Sequence, residues 1–266
     1  MSFKITYSAT QADAQKIDEA YDQAVVNVKK ILGKEFKAVI GFKELATASE
    51  GFCENTNPSD TRILLSKHAK TPLKDFDKIM QLSASAQKSW EQMGWKKRVE
   101  ILHKVANVIR ERRWEFSAIM SMEVGKNRME AIGEVEESAD LLDYYAGQVE
   151  KAEGFEVKMG SLSPGEQAKS ILKPYGVFAV IAPFNFPFAL TAGMAAGALA
   201  AGNSVVMKVA STTPWTAQNI FEAFRDGGMP EGVLQLVQGN GSEVGNILTK
   251  HPLTKGVVSP VVTMWA

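Results

Sequence analysis

LKPYGVFAVIAPFNFPFALTAGMAAGALAAGNSVVMK, residues 172–208, decides the fold. No charged residue falls between Lys173 and Lys208. Tyr175 to Ala182 is a short apolar run rich in β-branched and aromatic residues and closed by Pro183, the pattern of a strand buried on both faces. Ala189 to Ala201 is built from Ala, Gly and Leu and reads as a helix, stopped at Gly202-Asn203. Ser204 to Met207 reads as a second buried strand. The unit is a βαβ crossover, which builds parallel sheets and places ligands at the carboxyl ends of its strands.

The turn Ala182-Pro-Phe-Asn-Phe-Pro187 carries two prolines, which fix the backbone and remove donors. It sets Asn185 at the sheet's carboxyl edge. A neutral amide with two N–H donors suits an oxyanion that forms only in a transition state. The same residue type also caps helices, and spacing alone leaves both roles open.

Outward from this unit, Thr10 to Leu32 shows apolar residues at helical spacing, ended by Gly33, and Lys37 to Lys43 is strand-like, followed by a turn-rich segment to Asn57-Pro58. Thr71-Pro72 is expected to open a long helix with Thr at the N-cap. A break at Gly94 and a second at Gly125 divide the apolar stripes that follow, which read as core packing. The acids of Arg128 to Val149 (Glu130, Glu134, Glu136, Glu137, Asp140, Asp143) are expected to form a solvated helix face. Phe155 to Ile171, with Ser163-Pro-Gly165 at its middle, reads as a β-hairpin. Thr213-Pro214 opens a further helix. Gly232 to Val237 is a third buried strand, followed by Gly239-Asn-Gly241 and Gly245, and Thr254 to Val258 starts a fourth. The fold class is therefore α/β, a Rossmann-like parallel sheet with flanking helices, after a helical N-terminal region and a β excursion.

Composition excludes several classes. Thirty basic and thirty acidic residues cancel, which argues against nucleic acid or an anionic membrane as partner. The uncharged stretch is cut by Pro183, Asn185, Pro187 and Gly202-Asn203 into pieces too short to span a bilayer. The start lacks the architecture of a secretory signal. One cysteine, Cys53, excludes an internal disulfide and suits a reducing compartment; in its polar segment it reads as a passive surface or half-buried thiol. His68, His103 and His251 share no ligand spacing, so no metal site is expected.

Pro183-Phe-Asn-Phe-Pro187, the Gly/Ala helix and Ala201-Gly-Asn-Ser-Val-Val-Met-Lys208 together resemble the start of the cofactor domain of the aldehyde dehydrogenase superfamily. The block Glu123 to Ala146 is most similar to its 1-pyrroline-5-carboxylate dehydrogenase branch, and the resemblance covers about residues 10–258. It implies NAD(P)-dependent oxidation of an aldehyde to an acid, with L-glutamate γ-semialdehyde as the substrate expected of that branch. It implies an oxyanion-hole role for Asn185 and a nucleotide site at Ile181, Ala182, Pro183, Phe184, Lys208, Ser211, Gly241 and Gly245. Glu137 and Phe186 would then face the substrate. The family's K-P-[AS]-E motif is broken: Ser211 stands where a glutamate binds the ribose hydroxyls, so NADP is admitted beside NAD. The resemblance divides the chain into an arm (1–70), a helical part of the cofactor domain (71–154), an oligomerisation-type β segment (155–171), Rossmann-like units (172–258) and a tail (259–266). A homo-oligomer is implied for the full-length form, in the cytoplasm or, in a eukaryote, the mitochondrial matrix.

After Val258 the family continues F-T-G-S, whereas this chain reads Ser259-Pro-Val-Val-Thr-Met-Trp-Ala266. The codons TTC ACC GGT AGT AAC GAT GTG GGC encode FTGSNDVG, and loss of one T from the first yields SPVVTMWA. The expectation is a frame-shifted tail on a truncated product, without the family's cysteine nucleophile and glutamate base. A non-catalytic nucleotide-binding or interaction module on the same fold is the alternative.

Overall fold

A computed structural model of the chain describes residues 11–260. Helix α1 (Gln11–Lys29) forms where Ile17, Tyr21, Ala24 and Val28 recur on one face, and all four are buried. Short strands β1 (Lys34–Phe36), β2 (Val39–Ile40) and β3 (Lys43–Glu44) follow, then β4 (Phe52–Asn57) and β5 (Asp60–Ala69). β5 is the centre of a three-stranded sheet, parallel to β1 and antiparallel to β4.

This corrects the turn-rich reading of the segment before Pro58. Along β4 the alternate residues Cys53 and Asn55 point inward and are buried. An inward asparagine broke the apolar alternation that identifies a strand. Cys53 is thus a buried thiol, not a surface one, and burial raises its pKa against the opposing pull of Lys70 and Lys208. Thr71 is also reassigned. It caps no helix: its N–H donates to the Gln238 carbonyl and its Oγ1 accepts from the Gln238 N–H, both at 2.9 Å.

The helical region comprises α2 (Phe76–Gln92), α3 (Trp95–Glu111), α4 (Arg113–Val124) and α5 (Arg128–Lys151). Gly94 and Gly125, at φ 84° and 78°, take the left-handed conformations that end α2 and α4. Asn127 and Glu130 form a reciprocal capping box at the start of α5. Strands β6 (Glu156–Lys158) and β7 (Lys169–Ile171) pair antiparallel as an exposed ribbon, the expected hairpin.

The remaining chain alternates: β8 (Val177–Ile181), α6 (Ala189–Ala200), β9 (Ser204–Lys208), α7 (Pro214–Asp226), β10 (Leu234–Leu236), α8 (Gly241–Lys250) and β11 (Thr254–Val258). All four strands are parallel, in the order β10-β9-β8-β11. One face packs Val177, Ala179 and Val206 against Phe76, Ile79 and Met80 of α2 and Val244 and Leu248 of α8. The other packs Val180, Val205 and Met207 into a core supplied by α3, α5, α6 and α7. The small residues of α6 have a steric purpose: a Cβ on Gly193 would stand 2.8 Å from Leu141 Cδ1 of α5, so glycine permits the close helix approach. Among the described residues no helix is long and apolar enough to cross a membrane.

Candidate functional site

The strand order reverses between β8 and β11, so the crevice beyond the carboxyl end of β8 is the topological switch point of the sheet. The turn from Ala182 to Pro187 occupies that edge. Its first residue is fixed to β9 by the Ala182 N–H donating to the Lys208 carbonyl at 3.0 Å. The N–H groups of Phe184, Asn185 and Phe186 find no partner among the described residues. Ile181 ends β8, Ala182 is buried, Pro183 half-buried, and Phe184, Asn185 and Phe186 are exposed. The Asn185 side chain bonds to none of the described residues and does not cap α6.

The cap comes from another helix. Glu134 of α5, 2 % exposed, accepts from the Phe188 N–H at 2.8 Å and the Ala189 N–H at 3.1 Å through one oxygen, and its other oxygen pairs with Lys126. The Lys126 ammonium also sits 3.5 Å from the centroid of the Phe186 ring. A carboxylate there meets the orphan donors and positive end of α6. This overturns the solvated-face reading for Glu134, and for Glu136, which is 7 % exposed and pairs with Arg113 at 2.8 Å. One signal could have found Glu134: it lies three residues after buried Ala131 and four before buried Ser138, inside the apolar arc of α5. Glu137, one turn further on, is exposed.

The second half of the crevice lies at the ends of β9 and β10. Lys208 is 4 % exposed, and its Nζ is 3.7 Å from where a Cβ on Gly241 would sit, so the fold unites two residues far apart in sequence. Burial pulls the Lys208 pKa below its usual value, with neighbouring Cys53 opposing the shift. Gly241 begins α8, where Asn240 accepts from the Ser242 N–H at 3.1 Å; Gly245 is buried one turn later. Ser211 is exposed in the loop between β9 and α7. The far end of that loop is held by a residue the sequence reading passed over. Glu123 of α4, fully buried, accepts from the N–H groups of Trp215 and Thr216 at 2.8 and 2.9 Å, from Thr216 Oγ1 and from Asn55 Nδ2. Burial pushes its carboxyl up to about 7 despite these donors.

A buried ammonium beside a helix that starts on a glycine, one strand along from the switch point, has the donor chemistry to hold a dinucleotide. A separate groove of about 700 Å³ lies beside α6 and the start of β8; it touches neither Asn185 nor Lys208. Among the described residues no group of three His, Cys, Asp or Glu side chains is arranged to hold a metal.

The sequence pattern of the Aldehyde dehydrogenase family matches residues 45–259. The 1-pyrroline-5-carboxylate dehydrogenase of Bacillus mycoides (strain KBAB4) is 36% identical over 239 residues, 90% of this chain and 45% of that protein. The structure of 1-pyrroline-5-carboxylate dehydrogenase from Thermus with bound NAD superposes with a TM-score of 0.87 at 30% identity, covering 97% of this chain and 48% of the other. An E. coli NADP dependent enzyme gives 0.78 at 28% identity, over 87% and 47%. The chain spans about half the length of the relatives it matches. With four fifths of its residues inside the family's pattern and the same α/β framework, the chain belongs to the aldehyde dehydrogenase family.

Proposed function

We propose that residues 172–258 form the nucleotide-binding half of an NAD(P)-dependent aldehyde dehydrogenase whose substrate is L-glutamate γ-semialdehyde. The observation that carries this reading is the crevice itself, where the Asn185 amide, without a partner among the described residues, and the Lys208–Gly241 corner lie at the carboxyl ends of adjacent strands. Lys208, Gly241 and Gly245 would hold the adenosine side, with Ile181 to Phe184 beneath the rest of the dinucleotide. Bound NAD(P)⁺ supplies a hydride acceptor. Asn185 would donate to the oxygen that gains charge when a nucleophile adds to the aldehyde, and Glu137 and Phe186 would line the substrate's approach. The 1-pyrroline-5-carboxylate substrate rests on the relatives named above. The exposed β6–β7 ribbon supports assembly into a homo-oligomer.

Cys53 does not serve as the nucleophile in this reading, because it is buried in β4 and burial disfavours its thiolate. The resemblance to the aldehyde dehydrogenases implies a cysteine nucleophile and a glutamate base in the portion of the relatives that this chain does not span. The polypeptide is expected to bind nucleotide and to produce no NAD(P)H from aldehyde. Titration calorimetry with NAD⁺ and NADP⁺ tests the assignment. With Ser211 offering no carboxylate against a 2′-phosphate, the two affinities should agree within about tenfold, and Lys208→Met should weaken both. Undiminished binding by that variant, or about a hundredfold preference for NAD⁺, would remove Lys208 or Ser211 from the site.

A further inference from the structure

We infer that Lys126 and Glu134 are positioning residues that hold the Pro183–Pro187 turn, and with it Asn185, in one conformation. The inference rests on the reading of Asn185 as the donor to the reacting oxygen. It starts from a deficit: the three residues at the tip of the turn donate no backbone hydrogen bond to the described residues, and the Asn185 side chain has no partner there. Two prolines narrow the backbone but do not anchor it.

Both anchors come from the α4–α5 corner. Glu134 fixes the turn's exit through the Phe188 and Ala189 N–H groups. Lys126, joined to the other Glu134 oxygen, lies over Phe186, the residue next to Asn185. The side chains are 11% and 1% exposed, so the pair works out of water, where charge-assisted contacts to amides and to an aromatic face are strongest. Each group has a separate task. Glu134 would keep the helix start closed even without Lys126, whereas Lys126 reaches the tip through the Phe186 ring.

Nuclear magnetic resonance of the 266-residue chain separates the two tasks. Lys126→Met should shift and broaden the Asn185 side-chain amide signals while the Phe188 and Ala189 amides stay protected from exchange. Lys126→Arg, which keeps a cation over the ring, should restore the Asn185 signals. Glu134→Ala should speed exchange of the Phe188 and Ala189 amides by at least about tenfold, and Glu134→Gln, which retains an acceptor oxygen, should not. Unchanged Asn185 signals in Lys126→Met, or no rescue by arginine, would overturn the inference. If Glu134→Ala fails to fold, the lysine variants decide alone. NAD⁺ titration of the parent chain reports separately on the nucleotide reading, which can fail while Asn185 remains held.

Discussion

Glu123 and His68 are shifted in opposite senses by one cause, burial, which raises the carboxyl from 4.5 to about 7 and lowers the imidazole from 6.5 to about 3. They are also neighbours in the bonding pattern. Asn55 donates to Glu123, Asn55 faces Ser66 across β4 and β5, and Ser66 Oγ meets His68 Nε2 at 2.9 Å. Between about pH 4.5 and 6.5 the folded protein carries its proton on Glu123 and leaves His68 neutral. The unfolded chain does the reverse and binds the same number. The two slopes cancel, so this pair leaves stability flat across the window. Glu123→Gln should expose the histidine slope, with unfolding free energy falling as pH drops from 6.5 by about 1.4 kcal/mol per unit. His68→Gln should expose the opposite slope, a fall in stability as pH rises from 4.5 towards 7. Urea unfolding at pH 5 and 6.5 measures both, and two variants as flat as the parent would refute the pairing. Asn185 allows a test of a different kind. In a chimera extended by the C-terminal half of the Bacillus mycoides relative, Asn185→Ala should lower kcat by about 10²–10³ with NAD⁺ affinity kept. An unchanged kcat would leave Asn185 without a catalytic part.

Among the elements, the contact of the α7 C-cap with α3 has little tolerance, because a new side chain there would meet backbone atoms as well as a side chain. A Cβ on Gly227 would lie 2.5 Å from Val105 Cγ2 and 2.8 Å from Val105 Cα, and φ at −74° offers no relief by glycine's conformational freedom. Gly227→Ala should therefore destabilise by about 1–3 kcal/mol through overpacking. Gly147 in α5 has nothing within 4 Å, so Gly147→Ala should stabilise by roughly 0.5–1 kcal/mol through helix propensity. Thermal unfolding of the two variants gives both signs. In the alternation from β8 to β11, β8 and β9 were legible because Val177–Ile181 and Val205–Met207 are uninterrupted apolar runs, while β10 and β11, interrupted by Gln235 and Lys255, were marked by the Gly232 and Pro252 that precede them. β4 was not, since Cys-Glu-Asn-Thr hides a buried face behind polar side chains. The turn around Asn185 was legible as a motif. Its anchors were not, because Glu134 stands among other acids and its partners, Phe188 and Ala189, lie on a different helix more than fifty residues later. Thr71 misled for the same reason: its partner, Gln238, is remote.

At the scale of the molecule the central sheet is asymmetric. β9 and β10 are buried throughout, and β10 is further covered where the Gly41 N–H donates to Gln235 Oε1 at 2.8 Å. β11 pairs only with β8 among the described residues, its residues alternate between half-buried and exposed, and Val257 is 46% exposed. A parallel strand is ordinarily covered on both faces, and an uncovered edge invites another chain. The net charge is zero at pH 7 and the isoelectric point about 6.9. Near neutrality, then, no long-range repulsion keeps two such edges apart. In colloidal terms the second virial coefficient should be negative around pH 7 and turn positive by about pH 9, where the molecule acquires net negative charge. Static light scattering across that range reads the sign. Val257→Lys should raise the coefficient at pH 7 if β11 is the adhesive edge; if the attraction survives unchanged, it resides elsewhere on the surface.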